Sequence, residues 1–139
     1  MATPAKFKVW RESQVLLAVV NGSWNQQTAE EFALEFMKKA TPILHAPWAH
    51  IVYLDQWELG VPEIEPVIQR LVDWSVSHNL RFAAQVYCPH MVKKYQLERM
   101  TAIKSPTFEK RTYPTPQDAF DWLTAEGFIV QQQVFKKLA

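Results

Sequence analysis

The chain has 139 residues, of which 48 % are apolar and 13 % aromatic, and its 15 basic and 14 acidic side chains leave a formal charge of +1. Such a length supports one core, the composition excludes a disordered chain, and the charge balance excludes a global field for nucleic acid or an anionic membrane. The only cysteine, Cys88, forms no internal disulfide, and Met1 to Ser13 lacks the apolar stretch of a secretory signal, so a cytoplasmic location is expected.

Phe7 to Trp10 and Val15 to Val20 read as two strands joined by the polar turn Arg11 to Gln14. The second is apolar on both faces, as a central strand is, and as the longest apolar run it falls far short of the ~20 residues of a membrane helix. Asn21-Gly22 ends it. Thr28 and Glu31 have the spacing of a capping box, after which Ala29, Phe32, Ala33, Phe36, Met37 and Ala40 recur at helical intervals. His50 to Leu54 is the next buried strand, and Asp55 marks where the chain emerges. Pro62 suits a first helical turn, with Glu63 and Glu65 favoured by the helix dipole. Ile64, Val67, Ile68, Leu71, Val72 and Ser75 form the inward stripe, and Asn79 suits the left-handed residue that stops the helix.

Leu80 to Tyr87 reads as a strand, and Pro89 precedes a helix to about Ile103 that packs through Met91, Val92, Tyr95 and Met100. Phe108 to Tyr113 alternates apolar with charged residues, as an edge strand does. Thr115-Pro116 with Asp118 caps a last helix that stops at Gly127. The order β β α β α β α β α predicts one α/β domain over residues 1–139. Its sheet is mixed and mostly parallel, with about five strands, four helices and an antiparallel first edge.

That order, with Val15-Leu16-Leu17-Ala18-Val19-Val20-Asn21-Gly22, Ile51-Val52-Tyr53-Leu54-Asp55 and the closing Ala119-Phe120-Asp121-Trp122-Leu123, resembles the SpoIIAA-like group of STAS domains. The resemblance implies a regulatory or ligand-binding module rather than an enzyme. In the family's anti-sigma-factor antagonists, a strand ending in Asp leads to a Ser whose phosphorylation switches partner binding. Asp55 matches the strand end, but the switch position falls near Ile64 or Glu65, and no Ser or Thr lies between Asp55 and Arg70. The resemblance thus implies an inherited scaffold without the phospho-switch. Glu65 as a permanent mimic would carry about half the charge of a phosphate.

The loop Asp55-Gln56-Trp57-Glu58-Leu59-Gly60-Val61-Pro62-Glu63 follows a strand, where open α/β sheets place their ligand sites. One reading makes it a partner surface anchored by Trp57 and ringed by Asp55, Glu58, Glu63 and Glu65; the other folds Trp57 and Leu59 back onto the core. Trp24 and Trp57 both follow strands, so parallel neighbours would bring them to one end of the sheet as pocket wall or contact patch. Cys88-Pro89-His90 pairs a thiol with an imidazole at a strand-to-helix junction, yet no second thiol exists for dithiol chemistry. His45, His50, His78 and His90 have no zinc spacing, and no Gly-rich phosphate loop or nucleophile elbow occurs, so neither metal nor cofactor is expected. Lys93, Lys94, Arg99, Lys104, Lys110 and Arg111 read as a solvated basic face.

The leading expectation is therefore a non-enzymatic regulatory or protein-interaction module acting through the acidic loop, with an unidentified protein partner. The alternative is a binder of a small apolar, lipid-like ligand between sheet and helices near Trp24, Trp57 and Tyr87, in an internal cavity of roughly a few hundred Å³. Thiol chemistry at Cys88 and His90 is a third reading. The apolar tail Phe128 to Ala139 is expected to pack on the body or on a second copy, giving a homodimer.

Overall fold

In the computed structural model, which describes residues 6–58, 60–88, 93–103 and 105–133, the element order is the expected one. The chain runs β1 (Phe7–Glu12), β2 (Val15–Val20), α1 (Gln26–Ala40), β3 (Trp48–Tyr53), α2 (Ile64–Ser77), β4 (Leu80–Val86), α3 (Lys93–Met100), β5 (Glu109–Tyr113) and α4 (Pro116–Ala125). A 3-10 turn, Thr41–Ile43, closes α1. One sheet holds the strands in the order β1-β2-β3-β4-β5. The β1–β2 hairpin is antiparallel, and β2 to β5 pair in parallel.

Every parallel strand is added on the same side of its predecessor. Right-handed crossovers then put α1, α2 and α3 on one face, while α4, which leads to no further strand, covers the other. Two buried clusters follow. Leu16, Ala18 and Val20 of β2 point into the cluster under α1 to α3, and Val15 and Leu17 point toward Ala119, Phe120, Trp122 and Leu123 of α4. All six residues of β2 are buried, which is why this strand is apolar throughout instead of alternating.

Several local readings shift. The cap of α1 is Asn25, with extended backbone and a carboxamide oxygen that accepts from the Thr28 N–H at 2.9 Å. Thr28 therefore lies inside the first turn, and the Glu31 carboxylate accepts from Gln27 at 3.1 Å, so the pair forms no capping box. Tyr95 is 70 % exposed, because the inward face of α3 is Lys93, Gln96, Leu97 and Met100. Met91 and Val92 lie outside the described residues. Asn79 (φ 76°) and Gly127 (φ 93°) adopt the left-handed conformation at the ends of α2 and α4, as read from the sequence. The first part of the tail packs on the body. Val130 is buried in the α4 cluster and the Gln131 N–H donates to Glu12 at 3.1 Å, while Val134, Phe135 and Leu138 lie outside the described residues.

The cap assignment predicts a contrast between two variants. Asn25→Ala should cost about 1 kcal/mol in urea denaturation, the usual loss for a helix cap. Thr28→Ala, at a helical position, should change stability by less than about 0.5 kcal/mol.

Candidate functional site

The loop after β3 is held from both sides. Toward β2, the Gly22 N–H donates to the Gln56 carbonyl at 2.9 Å and the Glu58 N–H donates to the Gly22 carbonyl at 3.0 Å. These bonds extend the parallel β2–β3 pairing beyond the strands, with Gly22 opposite Trp57. Toward α3, the buried Lys93 ammonium donates to the carbonyls of Leu54, Asp55 and Trp57. Burial lowers the Lys93 pKa, and nearby Asp55 and Glu58 oppose that shift. Gln96, also buried, clamps Gly60 with a matched pair of bonds, accepting from its N–H and donating to its carbonyl, each at 3.0 Å. A Cβ on Gly60 would collide with the Cδ1 end of the Ile64 side chain, so a larger residue there requires Ile64 to shift.

This anchoring decides the fate of the acidic residues. The Asp55 carboxylate accepts from the Cys88 N–H at 3.1 Å and bonds the Tyr53 hydroxyl, whose pKa rises through burial and then through Asp55. Glu65 takes a two-point ion pair from Arg99, at 2.7 and 3.0 Å, which holds its pKa below the usual value. The Glu65 carboxylate is thus engaged within the chain, whereas Glu58 and Glu63 remain exposed. Trp57 is only 3 % exposed, so it folds onto the core and is no surface anchor, while Leu59 lies outside the described residues. Pro89 and His90 lie outside the described residues, and the Cys88 they would accompany is partly buried.

Trp24, also 3 % exposed, and Trp57 both line a partly open cavity of about 100 Å³ between the sheet and α1 to α3. The Trp24 indole N–H is satisfied by the Asn21 carbonyl at 2.9 Å, so the ring presents apolar surface. Cavity space arises from a small residue. Along one rung of the sheet run Leu16, His50, Ala83 and Lys110, and the Ala83 methyl leaves unfilled the gap between its two longer neighbours. Tyr87, though buried, is not among the lining residues; its hydroxyl bonds Thr112 on β5. The volume also corrects the expected ligand. An apolar cavity of about 150 Å³ admits benzene, so this smaller space has no room for an acyl chain and takes a single small ring only as its lining yields.

Five polar residues that the sequence reading had not assigned to a site line this cavity: His50, Ser75, Gln85, Thr101 and Lys110. His50 Nδ1 lies 2.9 Å from the Leu16 carbonyl, which can only accept, so Nδ1 carries the proton. Burial lowers its pKa to about 4, and the ring is neutral at pH 7. Thr101 donates to the Leu97 carbonyl and accepts from Lys110 at 2.8 Å and from Gln85 Nε2 at 3.4 Å. Burial likewise lowers the Lys110 pKa, opposed by Glu98. Gln85 Oε1 finds no donor among the described residues. A lone Gln inside the apolar run Phe82 to Tyr87 was the available sequence signal, while Lys93 and Lys110 were hidden in a run read as a solvated face. No group of His, Cys, Asp and Glu suited to a metal, and no helix long and apolar enough to cross a membrane, occurs among the described residues.

The chain is similar to the crystal structure of an uncharacterised DUF3478-family protein with a SpoIIAA-like fold from Shewanella loihica PV-4. The TM-score is 0.63 at 14 % identity, over 88 % of this chain and 98 % of that one. The fold is therefore SpoIIAA-like. No protein-family model and no curated protein matches the sequence.

Two outcomes follow from the buried cations and the imidazole. Lys93→Met leaves three carbonyls without their charged donor and should destabilise the fold by about 3 kcal/mol in chemical denaturation, with faster hydrogen exchange at residues 54–58. For His50, the unfolded chain takes up a proton below about 6.5 while the folded ring resists until about 4. Its contribution is complete above pH 6.5 and is lost as pH falls through that window, a decline of about 3 kcal/mol. Denaturant midpoints measured from pH 7 to pH 4 should show it, and His50→Gln, which keeps a donor for Leu16, should flatten the profile.

Proposed function

We propose that this protein is a non-enzymatic regulatory module that binds a small apolar molecule between its sheet and α1 to α3, and that occupancy is communicated through the acidic loop. One observation carries the reading: Trp57 belongs to the loop and at the same time walls the cavity. A guest pressing on the Trp57 ring acts on the backbone carrying the exposed Glu58, and the bonds from Lys93 and Gln96 limit how that backbone responds. A protein partner reading the state of the module would meet Glu58, Val61 and Glu63 on the outer side of the same segment. The loop lies at the carboxyl end of a parallel strand, the usual position of ligand sites in open α/β sheets.

The lining favours uncharged guests with apolar surface. Trp24, Phe32, Phe36 and Trp57 surround the space with aromatic rings and the imidazole of His50 is neutral, which leaves Lys110 as the amine in the lining.

Benzene is the probe that tests this reading. At ten times its dissociation constant it should stabilise the fold by about 1.4 kcal/mol, a rise of roughly 3 °C in Tm for a chain of this size. Saturable changes in tryptophan emission should accompany it. Ala83→Val, which occupies part of the space, should retain the native circular dichroism spectrum and lose both responses. Wild-type protein with no saturable response to benzene or any other small aromatic would refute the reading.

A further inference from the structure

The outer surface of the three-helix layer carries a second apolar feature, separate from the cavity. Leu34 on α1 is 66 % exposed and stands at the rim of a groove of about 450 Å³ between α1 and α2. Val67 and Leu71, both buried, floor that groove, and half-buried Ala33, Met37 and Trp74 flank it. A lone exposed leucine is ordinary, whereas one continuous with a half-buried thioether and indole forms a patch that gains by being covered. Charged residues border the patch, and three of them are unspent. Among the described residues Glu30 accepts from the uncharged Gln26 at 3.1 Å, and neither Lys38 nor Arg70 has an ion-pair partner.

The order of those charges selects the occupant. Glu30 and Lys38 lie four residues before and four after Leu34, on the same side of the helix. A two-fold axis beside Leu34, at right angles to α1, runs a second α1 antiparallel over the first. It sets Leu34 against Leu34 and puts Glu30 of each copy opposite Lys38 of the other. On α2 the same rotation exchanges positions on either side of Leu71, which lines the groove with Leu34, and brings Arg70 beside Asp73 of the second copy. We propose that this face pairs with the same face of a second copy, antiparallel about Leu34. Other occupants match the row of charges less well: a parallel copy sets Glu30 against Glu30, and a uniformly acidic or basic segment meets a like charge at one end.

The size of the face sets the strength. The 15 residues of α1 extend about 22 Å, and α2 lies about 10 Å to the side, so the pair buries on the order of 1,000 Å² in total, the lower limit for a specific interface. Both helices begin at the end of the sheet that carries the acidic loop, so the antiparallel arrangement holds the two loops at opposite ends of the dimer.

Sedimentation of the intact chain across the micromolar range tests the proposal. Wild-type protein should show a monomer–dimer equilibrium with a Kd on the order of 10 µM. Leu34→Glu, at an exposed helical position, sets two carboxylates on the axis; it should keep the native circular dichroism spectrum and weaken dimerisation at least tenfold. Glu30→Lys and Lys38→Glu should each weaken it about fivefold, because each creates two like-charge contacts, and the variant carrying both should return to within about twofold of wild type. A monomer mass at every concentration would overturn the proposal. A dimer that Leu34→Glu leaves intact would overturn it as well, since the interface would lie elsewhere. Failure of the double charge exchange to recover what the single variants lose would overturn the antiparallel pairing.

Discussion

Three carbonyls at the end of β3 need a donor, and the ammonium of Lys93 supplies it from α3. Backbone acceptors are scarce in partners where a strand gives way to an irregular loop, and in a buried position water cannot substitute freely. A single cation satisfying Leu54, Asp55 and Trp57 sets the path of the loop, and the path turns the Trp57 ring inward. From that one contact follow the Trp57 wall of the cavity, the tie between the loop and α3, and the outward direction of Glu58. Gln96 continues the same work one turn further along α3, holding Gly60 close against Ile64.

The cavity is a consequence of sheet order as much as of side chains. Strands added always on one side place three helices over a single face, and the space they roof is larger than that under α4 alone. Large aromatic residues fill most of it: Phe32, Phe36, Trp24 and Trp48 touch ring to ring along α1 and the neighbouring strands. Ala83 at the centre of β4 interrupts that filling. Close packing elsewhere in the core makes such a gap a specific feature of the chain rather than a general looseness.

The acidic loop illustrates how position and engagement separate. Four carboxylates in eleven residues read as one negative surface, yet Asp55 is spent on the Cys88 amide and the Tyr53 hydroxyl and Glu65 on Arg99. Only Glu58 and Glu63 face solvent. Asp55 ties the end of β3 to the segment following β4.

Element order, the all-buried β2, the edge character of β5 and the left-handed Asn79 and Gly127 were legible in the sequence, because each depends on local pattern: continuous or alternating hydrophobicity, turn chemistry and helical spacing. Asn25 as cap was missed because Thr28, three residues further on, satisfies the same local rule and only the backbone decides between them. The site was hidden for a different reason. Whether Lys93 is solvated or buried, whether Trp57 turns out or in, and whether Gln85 finds all its partners depend on residues 30 or more positions away for the first two and 16 away for the third. Local sequence carries no record of such meetings. The chain by itself determined which segments form strands and helices, since those follow from nearest-neighbour geometry; only the tertiary structure decided which polar groups are spent and which remain free, since that depends on what packing brings within 3 Å.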